Sequence, residues 1–260
     1  MRLIIQLKAV KNFVYDLKYY HKLQGFIYSL LKDTAYSILH DIKTYKFFCF
    51  SNIFPVNEDY VINSGEKKFL IISSPDRIFL KIIENKLKEK QKNCEEIRIG
   101  EMCFEIENVK KLKVKINKNS VLISATPIII RIPERNYDKY NIPEHMRKKR
   151  YVYWRPSIDF TAFIKQLEEN LIKKYKTFYK EDFEIDRIFE YFRYKKPVAA
   201  HVVINGKEQI FIGSIWEFSF SYLTKEQRKI LEFGIDCGFG ERNSYGFGFV
   251  NLIKNKRVKI

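Results

Sequence analysis

The stretch "LTKEQRKILEFGIDCGFGERNSYGFGFVNLI", residues 223–253, decides how the chain ends and in which direction. "LTKEQRKILEFGID" over the first part reads as a helix. Thr224 is placed to cap that helix, and Glu226 lies in its first turn. "FGFVNLI" at the other end reads as a strand. Between them come Gly238, Gly240, Gly246 and Gly248, four of the ten glycines in the chain. The order is therefore helix, glycine loop, strand. A phosphate-cradling P-loop would need G-K-[ST], which is absent. A dinucleotide fingerprint would need a third glycine at position 243, where Asn243 stands, and would run from strand into helix so that the helix N-terminus meets the phosphate. Two readings remain. The glycines shape a tight turn into the last strand, or they let a long polymer approach the backbone, with Arg242 reaching a phosphate. Beside so many basic residues the polymer is favoured, and Asn243 and Ser244 join the glycines and Arg242 as candidate contacts.

Working back from this end, "PVAAHVVING" and "EQIFIGSIWEFSFSY" read as a hairpin about the turn "NGK". "IDFTAFIKQLEENLIKKYKTFY" reads as a helix with Ile158, Phe163, Leu167 and Leu171 on its apolar side. "SVLISATPIIIRI" opens the half as a strand followed by an extended segment, and a basic, proline-bearing loop spans roughly 133–156. The N-terminal half has the same order. "RLIIQLKAV" is a strand, and 21–32 is a helix on Leu23, Phe26, Ile27, Leu30 and Leu31. "TAYSILHD" is a second short helix capped by Asp33. "KFFCFSNIF" and "KKFLIISS" are strands, "PDRIFLKIIENKLKEKQ" is a helix with Pro75 near its start and Asp76 in its first turn, and "EMCFEIENVKKLKVK" is the closing strand. Two successive β-α-β-β-α-β units predict an α+β chain of two tandem ferredoxin-like domains, 1–118 and 119–260. The repeat is one of pattern, without clear identity between the halves.

The composition narrows the partner. The 260 residues carry 48 basic and 31 acidic side chains, a net charge of +17. The excess divides evenly, net +8 over 1–118 and +9 over 119–260. Such a field suits a polyanion, whose counterions are released on binding, although a lysine-rich surface can also serve solubility alone. The runs "RKKR" (Arg147, Lys148, Lys149, Arg150) and "RYKK" (193–196) adjoin Tyr151, Tyr153, Trp154 and Tyr194. Cations beside aromatic rings suit single-stranded nucleic acid, where backbones need charge and bases stack. No apolar run approaches the ~20 residues that cross a bilayer, and "MRLIIQLKAV" lacks a cleavage site. No membrane partner is expected, and the expected compartment is the cytoplasm. Cys49, Cys94, Cys103 and Cys237 are scattered with no C-x-x-C pair, so reduced and mostly buried thiols are expected rather than zinc ligands. No metal cluster and no cofactor motif is found.

"GFGERNSYGFGFV" near the end of a tandem ferredoxin-like chain resembles the glycine loop of the RAMP superfamily of CRISPR systems, whose domains are of the RRM/RAMP type. In the first half, "LQGFIYSLL" (23–31) and "LHDIKTYKFF" (39–48) resemble the segments that bear the active site in the CRISPR-associated endoribonucleases, Cas family six. The resemblance spans both halves. It implies cleavage of precursor CRISPR RNA within its repeats without a metal, by a tyrosine, a histidine and a lysine that fall on Tyr28, His40 and Lys46. Repeat RNA is the implied partner, with a CRISPR surveillance complex as a further one. Either a monomer or a homodimer is compatible. The alternative is a RAMP-type subunit that holds guide RNA without cutting it.

The chemistry is consistent with these residues. Attack of a 2′-hydroxyl needs a base, a departing 5′-oxygen needs an acid, and the phosphorane-like charge needs a fixed cation. His40, in the last turn of its expected helix, is suited to the acid role because the helix dipole favours imidazolium there. Lys46 is a point charge. Tyr28, on the polar side of its helix, orients the ribose or acts as a weak base. Of the other histidines, His21 precedes the first helix, His145 lies in the basic loop and His201 is expected to be satisfied within its strand.

Overall fold

The computed structural model describes residues 1–42, 44–204 and 206–254, and the side chains of His40 and Lys254 lie outside what is described. Asn205 of the expected "NGK" turn and the basic tail 255–260 also lie outside the described residues. The backbone divides into two compact units. The first comprises Met1–Lys113, His201–Gln209 and Ser244–Gly246; the second comprises Val114–Ala200, Ile210–Asn243 and Phe247–Ile260.

The first unit opens with β1 (Arg2–Ala9), whose alternation sends Leu3, Ile5 and Leu7 into the core. A two-residue strand β2 (Phe13–Val14) leads to helix α1 (Tyr19–Leu31). It buries Leu23, Phe26, Ile27, Leu30 and Leu31, as its apolar spacing predicts, and it begins two residues earlier than expected. After α1 the expected second helix is absent. Asp33 has a left-handed backbone (φ 60°) and caps nothing, and "SILH" forms a single 3-10 turn, Ser37–His40. Four residues cannot repay the nucleation of an α-helix. The expected strand "KFFCFSNIF" contracts to β3 (Cys49–Phe50), opposite Ser73 and Ile72, followed by an isolated bridge between Phe54 and Phe69. There follow β4 (Val61–Ile62), which pairs with β2, and then β5 (Lys67–Ser73).

Helix α2 (Arg77–Lys92) is capped by Asp76 itself, whose Oδ1 accepts from the amides of Ile78 (2.9 Å) and Phe79 (3.1 Å). Asp76 thus stands one position before its expected place in the first turn, where an N-cap contributes about 1 kcal/mol. β6 (Ile97–Ile99) and β7 (Met102–Leu112) complete the unit. The sheet order is β3-β5-β1-β7-β6, all pairs antiparallel. Without the edge strand β6, this is the ferredoxin-like arrangement, with α1 and α2 packed together.

The second unit repeats the plan. β8 (Ser120–Ser124) leads into a segment in which β9 (Arg131–Pro133) pairs with β10 (Tyr151–Tyr153), so the basic loop is the connection of a short antiparallel pair. Helix α3 (Phe160–Tyr179) is capped by Asp159. β11 (Tyr191–Ile204) and β12 (Lys207–Ser219) are long neighbours in one sheet. Helix α4 (Lys225–Cys237) starts with a full capping box between Thr224 and Gln227, and β13 (Val250–Lys254) ends the fold. The order β11-β12-β8-β13 is again ferredoxin-like. Its core joins Leu122, Trp216 and Phe218 of the sheet to Phe163, Leu167, Leu171, Ile230, Leu231 and Ile235 of the helices, all fully buried. A side chain of this kind contributes roughly 1.5–3 kcal/mol on burial.

Candidate functional site

The apolar stripe of α1 turns its opposite face, with Gln24 and Tyr28 one turn apart, toward other parts of the first unit. Gln24 is only 4 % exposed and must be satisfied. Its Nε2 donates to the carbonyl of Ser244 (2.9 Å), 220 residues away. The Tyr28 hydroxyl accepts a hydrogen bond from Lys46 Nζ (3.0 Å), and that ammonium lies 5.2 Å from the centre of the Tyr28 ring. Side chains of Ser244 and Gln24 also hydrogen-bond the phenol. Burial, followed by the neighbouring Tyr245, pushes its pKa up to about 12 against those bonds. Burial lowers the pKa of Lys46, and Asp41 opposes the shift. Tyr28 and Lys46, 18 residues apart, are therefore in direct contact. His40 ends the 3-10 turn between them in sequence, and its side chain lies outside the described part.

The glycine loop does run from helix to strand, as expected, and much of its chemistry serves its own shape. Lys174 of α3 is 2 % exposed, and its Nζ donates to the carbonyls of Gly238 (2.6 Å) and Gly240 (3.0 Å) and to Asn243 Oδ1 (3.0 Å). The Asn243 amide nitrogen donates to the carbonyls of Phe239 (3.0 Å) and Phe247 (2.9 Å). Asn243 is thus a staple across the loop. Gly248 must be glycine: with φ +71° a Cβ would stand 1.9 Å from the Phe239 carbonyl oxygen. Gly246, in the first unit, has φ +88° and lies where a Cβ would meet the Phe50 ring at 2.5 Å. Arg242 is exposed, with its guanidinium carbon 5.5 Å from the centre of the Phe211 ring, and its own backbone is left-handed (φ 59°). Glu241 beside it pairs with Arg131. The central tripeptide Ser244–Gly246 belongs to the unit that carries Tyr28 and Lys46.

Arg147, Lys148, Lys149 and Arg150 are all exposed between β9 and β10. Arg147 is partly spent on its own loop, donating from Nε to the Ile142 carbonyl (2.9 Å) and from Nη2 to Asp138 (2.8 Å). The Lys148 carbonyl accepts from the Tyr137 hydroxyl (2.6 Å). The carbonyl of Arg150 (φ 82°) accepts from the Glu134 amide (3.0 Å), and the Arg150 amide donates to the Glu134 carboxylate (3.3 Å). Of the remaining histidines, His21 lies inside the first turn of α1, where its Nδ1 is buried with no hydrogen-bond partner. His201 is exposed on β11 and meets Glu208 at 3.2 Å. Three of the four cysteines are buried and free, and Cys94 is exposed. Among the described residues no group of three His, Cys, Asp or Glu side chains could hold a metal ion, and no helix is long and apolar enough to cross a membrane.

Sequence reasoning missed Lys174, Gln24 and Tyr245. Lys174 left a trace. It stands three residues after Leu171 and seven after Leu167, on the stripe that should have been apolar throughout. A lysine there signals a buried ammonium with fixed acceptors. Gln24 and Tyr245 left no such trace, because their partners lie at the other end of the chain.

Two ferredoxin-like units, with a glycine-rich loop before the last strand of the second, define the class of fold. The model of the family described as CRISPR associated protein Cas6, C-terminal, matches residues 115–252. The chain is 37% identical over 98% of its length to the whole of the CRISPR-associated endoribonuclease Cas6 2 of Methanocaldococcus jannaschii. It is 28% identical over 99% of its length to the CRISPR-associated endoribonuclease Cas6 of Haloferax mediterranei, covering 95% of that protein. A solved structure described as CRISPR associated protein Cas6 superposes with a TM-score of 0.71 at 24% identity, covering 97% of this chain and 99% of that one, which bears on the fold. The chain belongs to the Cas6 family of CRISPR-associated proteins.

Proposed function

We propose that this chain is a metal-independent endoribonuclease that binds CRISPR repeat RNA and cuts precursor CRISPR RNA once in each repeat. The observation that carries the proposal is the Lys46–Tyr28 contact, in the segment that also carries the turn ending at His40, in a chain 37% identical over its length to a protein named CRISPR-associated endoribonuclease. In the proposed reaction the 2′-oxygen bonds to the adjacent phosphorus and the P–O5′ bond breaks. A base takes the 2′-hydroxyl proton and an acid returns one to the 5′-oxygen. The products are a 2′,3′-cyclic phosphate and a 5′-hydroxyl.

Tyr28, with its pKa near 12, stays protonated at neutral pH and is a poor base. Its phenol serves as a hydrogen-bond donor to the phosphoryl group or the ribose. Lys46 supplies the cation for the charge that develops on the phosphoryl oxygens. His40 then carries proton transfer and is the base for the 2′-hydroxyl. The acid role expected from the helix dipole loses its premise, since the element is one 3-10 turn. The glycine loop and the 147–150 run bind the RNA backbone. The substrate is a cellular transcript, so the site of action is the cytoplasm.

The test is cognate repeat RNA in excess EDTA, with wild type beside His40→Ala. Wild type cuts, and His40→Ala is slower by about 100-fold or more, the usual worth of a general acid or base. A 2′-deoxy substitution at the scissile nucleotide stops cleavage and leaves binding intact. RNA that wild type binds but leaves whole would identify a non-catalytic guide-RNA subunit instead.

A further inference from the structure

Between the end of α1 and β3, the described residues of 32–48 contain no regular element except the 3-10 turn Ser37–His40. Such a segment is mobile unless it is tied, yet it carries His40 and Lys46. The ties are concentrated at the junction of β5 and α2. At one end of the segment the Tyr36 hydroxyl donates to Asp76 Oδ2 (2.6 Å). At the other end the Phe47 carbonyl accepts from Ser74 Oγ (2.7 Å). Ser74 Oγ in turn accepts from the Asp76 amide (3.0 Å). Asp76 needs only Oδ1 to cap α2, so the bond from Oδ2 to Tyr36 is beyond what the helix requires. It is a short, charge-assisted bond of the stronger kind.

The rings continue the connection. Tyr36 is edge-on to Phe79 (5.5 Å), Phe79 stacks on Phe48 (5.1 Å), and Phe48 is edge-on to Tyr28 (6.1 Å). Phe79 and Phe48 are buried, so this chain of rings has little room to shift.

We infer that Tyr36, Asp76 and Ser74 form a brace that positions the segment bearing His40 and Lys46 against Tyr28, and that Tyr36 and Asp76 are positioning residues for cleavage. The inference rests on the catalytic assignment made above. Tyr36→Phe removes the latch while keeping the ring, the cap and the identity of every proposed catalytic side chain. Single-turnover cleavage by Tyr36→Phe should fall roughly tenfold or more, the scale of loss for small misplacements of reacting groups. The Kd for repeat RNA carrying a 2′-deoxy scissile nucleotide should stay within about twofold, since ground-state binding does not use the brace. Asp76→Ala loses cap and latch together. Asp76→Asn still caps α2 and can still pair with the phenol, so it should cut faster than Asp76→Ala. Tyr36→Phe added to Asp76→Ala should slow cleavage no further, because the two residues make one bond.

Wild-type cleavage by Tyr36→Phe, or a loss found in Kd and not in rate, overturns the brace. Full cleavage by His40→Ala overturns the catalytic assignment instead, so the two failures are told apart in the same experiment.

Discussion

Tyr28 concentrates the residue-scale chemistry. Its hydroxyl meets an ammonium, a serine and a glutamine while its ring lies against Phe48. Burial raises its pKa from an ordinary 10 to about 12, so the phenol is protonated at every pH at which RNA is stable. Tyr28→Phe should therefore lower the single-turnover rate, by about tenfold for one lost transition-state hydrogen bond. The midpoints of the pH–rate profile between about pH 5 and 9 should match wild type, because the titrating group lies elsewhere. A midpoint that vanished with the hydroxyl would show Tyr28 to be the base. The stability sign follows from the same shift. A group whose folded pKa is raised contributes fully below its unfolded pKa of about 10, and that contribution is lost as the pH rises toward 12. Urea midpoints of wild type should fall more steeply than those of Tyr28→Phe across that window. Tyr28 and Lys46 were legible as candidates because their surrounding segments resemble those of a known family. Their contact was not, since it depends on how residues 32–48 return to the face of α1.

Elements were read with uneven success, and the reason is length. α2, α3 and α4 show several turns of apolar spacing and a capping residue, so local signals agree with tertiary packing. "TAYSILHD" had a plausible cap and apolar positions but too few residues, and it is tied instead by the tertiary bond from Tyr36 to Asp76. The glycine loop shows a different limit. Its glycines announced close backbone approach, but for Gly248 the approaching group is the Phe239 carbonyl of the loop itself. What holds the loop from below is the Lys174 ammonium. Lys174→Met removes the donor from three acceptors in the interior, and each such loss costs about 1–3 kcal/mol when unrelieved. A clear drop in urea midpoint is expected for Lys174→Met. Gly248→Ala should be at least as damaging, by more than about 1 kcal/mol, because an L-residue is strained at that φ and its Cβ collides with backbone. An unchanged midpoint in both would show that the loop is not held as described.

At the scale of the whole molecule, charge and topology carry the function. A net charge of +17 divided evenly along the chain predicts RNA binding that weakens steeply with salt. Affinity for uncleavable repeat RNA, measured by anisotropy between about 50 and 200 mM salt, should give a straight log–log plot whose slope reports neutralised phosphates at ~0.7 each for a single strand. Arg242→Ala should weaken binding and flatten that slope by about 0.7, while leaving the rate of bound RNA unchanged. An unaltered slope would remove Arg242 from the backbone contacts and leave its guanidinium to its place over Phe211.

Period and punctuation are local properties, so the sequence by itself determined the two β-α-β-β-α-β runs, the four long helices, Thr224 as the cap of the last of them, the direction of the glycine loop and the basic excess. The partners of long-range polar groups are not local. Gln24 on Ser244, Lys174 on Gly238 and Gly240, and Tyr36 on Asp76 join residues 40 to 220 positions apart. Only the tertiary structure decided these, because a buried amide, ammonium or carboxylate must find a partner wherever packing brings one, and nothing in its immediate neighbours names that partner in advance.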